Sequence, residues 1–239
     1  MCWISLSGCL NIGGYYSCAF NPFNGNDWKI LLAKEGVVTK HIINEMARAV
    51  CKMQDDLLTV DARVEHRYFS EVKSLKMRES YSLPLQKTIY ERTQYPSHGG
   101  GLEKAFAEFL DRDAEVERFL KISETQHSFA SIYYIRADGL MSVYHPDFLV
   151  ATVDRVYLVE TKGNDKINDK NVRQKQTATI EWVRKVNSLK PEERMNRYWE
   201  YVLLSEDNFY GLSANGATIT DICNLNKVSL SQVTGDLFS

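Results

Sequence analysis

Two carboxylates and a lysine stand out in YHPDFLVATVDRVYLVETKG, residues 144–163. Asp147 opens the apolar run Phe148-Leu149-Val150, and Glu160 closes a second run, Val156-Tyr157-Leu158-Val159, with Lys162 two residues on. Both runs have strand character, and the short join at Val153-Asp154 makes them a hairpin. A tip at those two residues, or a four-residue loop around them, sets Asp147 opposite Glu160 and His145 opposite Lys162. Residues so paired sit roughly 4.5–5.5 Å apart at Cβ, where two like charges repel. A shared proton relieves the repulsion, and so does a divalent cation bridging the oxygens. An Asp, a Glu and a lysine suit magnesium, a hard ion that takes one or two carboxylates, waters and phosphate oxygens. The lysine adds a point charge to orient water or to stabilise negative charge growing on phosphorus. Together these groups describe phosphodiester hydrolysis. The competing reading is a surface hairpin with solvated charges, against which the two apolar runs argue, since such runs belong to strands covered on both faces.

Elements must hold that hairpin. Apolar positions from Leu102 to Lys121 predict a helix, with Asp111-Arg112-Asp113 as a point where it kinks or splits. Strands are expected over 131–136, 142–152 and 155–162, then an amphipathic helix over 171–187 and a last strand over 199–204. The order helix, three strands, helix, strand makes an α/β fold with a mixed central sheet flanked by helices. Tyr133, Tyr134 and Tyr157 read as sheet core. Upstream, the pattern predicts helices over 39–58 and 61–79 and an extended stretch over 85–91. The sequence PSHGGG, 96–101, marks a joint. The expected division is a mainly helical region over 1–95, the core over 96–210 and an extension over 211–239.

The 239 residues carry a formal charge of -2, so any nucleic-acid contact must use a local basic patch. Five scattered cysteines without a CxxC pair predict reduced thiols and a cytoplasmic protein. No signal peptide is read at the N-terminus, and no apolar run suggests a membrane span.

Pro146-Asp147 and Glu160-Thr161-Lys162 resemble the two halves of the PD-(D/E)XK nuclease motif, and the element order is similar to the restriction-endonuclease-like core of that superfamily. Blocks such as GLEKAFAEFLDRDAEVERFLKI, YHPDFLV, YLVETKG, NVRQKQTATIEWVRKVN and WEYVLL resemble the C-terminal endonuclease domain of type III restriction enzyme restriction subunits. The likeness covers roughly half the chain, from Leu85 to Glu206. It implies a magnesium-dependent endonuclease acting on double-stranded DNA, with manganese as a substitute ion. Asp147 and Glu160 would be metal ligands, the Thr161 carbonyl a third, and Lys162 the catalytic cation. Glu103 matches an acidic residue often found on the first core helix, with a plain salt bridge as its alternative. Lys175 matches a cation on the later helix, and Arg173 and Arg184 are further DNA-contact candidates; all three also read as ordinary helix charges. His145 reads as a metal ligand, a base or a structural histidine.

The restriction subunits carry an ATP-driven helicase motor before the nuclease, whereas no GxxxxGK[ST] loop, and so no ATP site, occurs in this sequence. The chain therefore resembles the nuclease end of a larger protein, or a truncated gene product. Its expected partners are duplex DNA, a helicase motor and a methyltransferase–recognition subunit. Two other readings stay open: a catalytically silent module that binds DNA or a partner, and an independent nuclease of a mobile or defence system.

Overall fold

The computed structural model describes residues 66–98, 101–136, 141–164 and 170–229, with shorter pieces before residue 47 (10–12, 15–17, 25–32, 36, 39, 42, 43 and 46). The chain forms two compact units, residues 1–63 with 138–141, and residues 64–137 with 142–239. In the first, β1 (Leu10–Ile12) pairs antiparallel with β2 (Tyr15–Ser17), and a 3-10 helix spans Asp27–Leu32. Thr39, Ile42, Ile43 and Met46 are helical; the rest of the helix expected over 39–58 lies outside the described residues.

The second unit begins differently from expectation. From residue 66 to Ser82 the chain is irregular apart from 3-10 turns at Phe69–Glu71 and Glu79–Tyr81, not the helix expected over 61–79. That segment is charged but lacks an apolar stripe, so a helix would have nothing to bury. Phe69 instead packs its ring 5.2 Å from both His127 and Phe129. A small hairpin follows, β3 (Ser82–Pro84) with β4 (Arg92–Gln94).

Helix α1 (Gly101–Arg112) buries Leu102, Phe106, Ala107 and Leu110 at helical spacing. It stops at Arg112, and Arg118–Lys121 is a strand, β5, where the sequence predicts continued helix. Asp113 makes the break: its Oδ1 accepts the Glu115 N–H, and its Oδ2 accepts the Ile219 N–H. The following strands are β6 (Ile132–Ile135), β7 (Met141–Tyr144), β8 (Phe148–Ala151) and β9 (Arg155–Lys162). Helix α2 (Lys170–Asn187), strand β10 (Tyr198–Ser205), and helices α3 (Glu206–Ala214) and α4 (Ile219–Asn226) complete the order.

The fold is mixed α/β. The main sheet has the order β10-β9-β8-β5, with β5, β8 and β9 antiparallel and β10 parallel to β9. The expected strand over 131–136 is thus not in this sheet; β6 and β7 form a separate two-stranded one. The single strand expected over 142–152 divides into β7 and β8 around Pro146, which has no N–H for a ladder. Tyr133, read as core, is 62% exposed on β6.

Helices cover both faces of the main sheet. On one side Phe106, Phe119, Phe148, Tyr157, Val202, Phe209, Ile219 and Ile222 form the larger cluster. On the other, Ile180 and Val183 of α2 pack with Leu158, Tyr201 and the β6–β7 tyrosines Tyr134 and Tyr144. This double cover explains why all six central residues of β9 are buried. The segment expected as an extension past residue 210 contributes α4, whose Ile219, Ile222 and Cys223 lie in the larger cluster. No helix among the described residues is long and apolar enough to cross a membrane.

Candidate active site

Strands β8 and β9 pair Phe148 with Val159, Leu149 with Leu158, Val150 with Tyr157 and Ala151 with Val156. One step further along this ladder sets Asp147 opposite Glu160. The Asp147 carbonyl accepts the Ile122 N–H at 2.9 Å, so β5 is still held alongside at this level. Leu158 faces the α2 side of the sheet, and alternation puts Glu160 and then Lys162 on that side as well. Asp147 Oδ2 accepts both the backbone N–H and the hydroxyl of Thr161, each at 2.8 Å. An extended residue directs its N–H and C=O to the same strand edge, so the Thr161 carbonyl also points towards Asp147.

Glu160 is 4% exposed, and its two oxygens differ. Oε1 lies 2.5 Å from Lys162 Nζ, whereas Oε2 is buried without a hydrogen-bond partner. Burial, and then the neighbouring charge of Asp147, push the Glu160 carboxyl up to about 7 against the pull of Lys162 and Lys175. Burial alone would lower the Lys162 pKa, but the charges of Glu160, Asp147 and Glu103 outweigh it and leave the ammonium above its ordinary value. The phenols of Tyr144 and Tyr201 border the same carboxylate; burial first, and then the charge of Glu160, raise both. Lys175 lies over their side of the site, its Nζ 5.0 Å from the Tyr144 ring centre and 5.8 Å from that of Tyr134.

Asp147, Glu160, Thr161, Lys162 and Lys175 are therefore brought together. Glu103, on α1, lies near enough for its charge to help raise the Lys162 pKa. Its Oε2 lies 2.5 Å from Lys121 Nζ of β5, so the salt bridge offered as its alternative forms beside the site. Arg184 is exposed and its guanidinium is held by Glu181 at 3.0–3.1 Å. Arg173 is exposed on the same helix, two residues before Lys175. His145 keeps a buried Nε2 without a partner beside a cleft of about 360 Å³ that Asp147, Glu103 and Lys121 also line. Sequence reasoning missed Lys121, Tyr144 and Tyr201. Lys121 lies in the strand mistaken for helix. Tyr144 and Tyr201 could have been found from the alternation that places each on the α2 side.

Among the described residues no group of three or more His, Cys, Asp or Glu side chains is arranged to hold a metal ion. Magnesium does not require one, because it usually keeps several waters on one or two carboxylates. The two facing carboxylates and the orphaned Glu160 Oε2 fit such an ion, with Asp147, Glu160 and the Thr161 carbonyl as its protein ligands. No family model matches the chain, and no curated protein or solved structure is significantly similar to it.

Proposed function

We propose that this chain is a magnesium-dependent DNA endonuclease domain with a restriction-endonuclease-like core, the nuclease part of a type III-like restriction subunit. The observation that carries the reading is the β8–β9 register, which sets Asp147 against a buried Glu160 whose other neighbour is Lys162. Two acids in that position are costly unless a cation or a proton joins them. A bound magnesium would supply Lewis-acid activation of a phosphoryl oxygen and of the attacking water.

The chain's own groups then divide the remaining work. Lys162 has a raised pKa and keeps its proton at neutral pH, so it acts as a cation on the developing phosphorane charge and not as a base. Asp147 is fixed by its two bonds from Thr161 and holds its place through the reaction. Lys175, half-buried over two tyrosine rings, offers a second positive charge on the α2 side for a flanking phosphate.

The test is manganese binding and cleavage of linear duplex DNA, measured on the chain and on Asp147→Ala and Glu160→Gln. Binding of one or more ions by the wild type, lost or strongly weakened in both variants, and cleavage dependent on added metal are expected. Manganese binding that survives unchanged in both variants would overturn the assignment of the site.

A further inference from the structure

The cleft beside Asp147 does not end at the carboxylates. It shares Gln94 and Tyr95 with a larger recess of about 590 Å³ lined by Lys76, Met77, Arg78, Tyr81 and Ser97. The two recesses adjoin at these residues as a groove with Asp147, Glu103 and Glu124 at one end and a basic and aromatic lining from the segment before α1 at the other. Lys76 and Arg78 are exposed, and their side chains have no partner among the described residues. The rings of Tyr81 and Tyr95 meet edge to face with centroids 6.2 Å apart.

Local hydrogen bonds hold the basic end in place. The Gln126 side chain clamps the backbone of Lys76, accepting its N–H at 2.6 Å and donating to its carbonyl at 3.1 Å. Tyr95 donates its N–H to the Tyr81 carbonyl at 2.9 Å and its hydroxyl to the Ser80 carbonyl at 3.2 Å. Lys76 is thereby tied to the turn that also carries Ser123 and Glu124 of the cleft, and Tyr81 to Tyr95. An irregular, charged segment with little core of its own is thus fastened at two points where its residues line the groove.

Cations that track phosphates, next to aromatic rings on which bases stack, are the recurring means of holding a single nucleic-acid strand. A duplex hides its base faces and has no use for the tyrosines. We propose that this groove is a single-strand subsite: it holds unpaired nucleotides flanking the scissile phosphate, with Lys76 and Arg78 on the phosphates and Tyr81 stacking a base. This rests on the reading of Asp147 and Glu160 as the cleavage site only for what the strand is delivered to; binding itself needs neither metal nor chemistry.

The experiment is fluorescence anisotropy in EDTA, with a labelled 12-nucleotide DNA strand and a 12-base-pair blunt duplex as probes. The single strand should bind more tightly than the duplex. Lys76→Ala/Arg78→Ala should lower affinity at low salt and reduce the salt slope by about 1.4, near 0.7 for each single-strand phosphate contact. Tyr81→Ala should weaken binding roughly tenfold or more, while Tyr81→Phe, which keeps the ring, should not. A strand carrying 2-aminopurine should show fluorescence quenching that is lost in Tyr81→Ala, with circular dichroism showing each variant folded. Absence of saturable strand binding, preference for the blunt duplex, or an unchanged salt slope in the double variant overturns the subsite. Metal-dependent cutting is measured separately, so a chain that binds the strand but does not cut contradicts the nuclease reading alone.

Discussion

Glu160 and His127 are both ionisable, both removed from solvent and both in the second unit, yet their surroundings are opposite. His127 has each ring nitrogen engaged: Nδ1 accepts the Ser123 N–H at 3.0 Å, and Nε2 lies 3.0 Å from the Tyr90 hydroxyl. The accepting Nδ1 fixes the neutral tautomer with its proton on Nε2, and the Tyr90 hydroxyl donates its own hydrogen bond to the Phe69 carbonyl at 2.9 Å. Rings of Phe69, Tyr90 and Phe129 enclose it. Glu160 has one oxygen on Lys162, the other without a hydrogen bond of good geometry although the Tyr144 phenol borders the carboxylate, and a second acid facing it. Glu200 also leaves Oε2 unpartnered, but Arg155 holds its Oε1 at 2.6 Å and its pairing is an ordinary salt bridge. An open atom alone does not separate a site from a scaffold. An open atom on an acid pressed against another acid does, because that arrangement is stable only when a proton or a cation joins it.

The comparison breaks most visibly at Lys162. Lys162→Gln should lower the cleavage rate by about 10²–10³, the usual effect of removing one electrostatic contact to a developing charge. Thermal melting of the same protein should show a folded chain. Single-turnover kinetics in magnesium checks it, and an unchanged rate would remove Lys162 from the chemistry.

His127→Ala should do the reverse. It leaves the Ser123 N–H unpaired and opens a cavity among three rings, a stability loss of about 2–4 kcal/mol by denaturant titration. Cleavage per folded molecule should stay near wild type. The wild-type ring also has a signature in acid. Burial, with the His145 charge, lowers the His127 pKa below its ordinary 6.5, so the native state holds fewer protons than the unfolded chain below that pH. Its contribution is present above about pH 6.5 and is lost as the pH falls.

Glu160 titrates with the opposite sense to a paired carboxylate. Its folded pKa of about 7 exceeds its ordinary 4.5, so between those values the native state holds more protons than the unfolded one. Stability therefore declines as pH rises through this window, by on the order of 3 kcal/mol. Glu160→Gln should lack that decline and gain stability over wild type at pH 8 relative to pH 5. Magnesium should raise the melting temperature of wild type at pH 8 more than that of the variant. Urea titrations at the two pH values check the sign; a variant that gains nothing at pH 8 shows the carboxylate to be comfortable as it stands.

The smallest effect is expected at Tyr90→Phe, which removes the hydroxyl from both His127 and Phe69 without changing the ring. About 1 kcal/mol of stability should go, with cleavage untouched. A larger loss of activity than of stability would tie the histidine cluster to the site.

Much of the arrangement was open to reading before any tertiary information. The β8–β9 hairpin follows from two apolar runs around a short join, and its register follows from the join. The stripe of α2 and the apolar run of β10 are similarly plain. Strand β5 was not, because Val116, Phe119 and Leu120 suit a helix continuing from Leu110 as well as a short strand buried on both faces. The stretch 66–79 misled in the other direction: helix-forming residue types without an apolar stripe carry propensity but no reason to stay helical.

The chain order fixes local features. It placed an acid at the start of one strand, an acid and a lysine at the end of the next, and their opposition across a turn of fixed length. Which charges are paired depends on how distant elements pack. Lys121 reaches Glu103 across eighteen positions because β5 lies under α1, a pairing set by packing and not by periodicity. Lys175 settles over Tyr134 and Tyr144 for the same reason. Periodicity reports the face on which a side chain stands; the partner it meets there depends on how distant elements stack, and burial then sets how strongly the two interact.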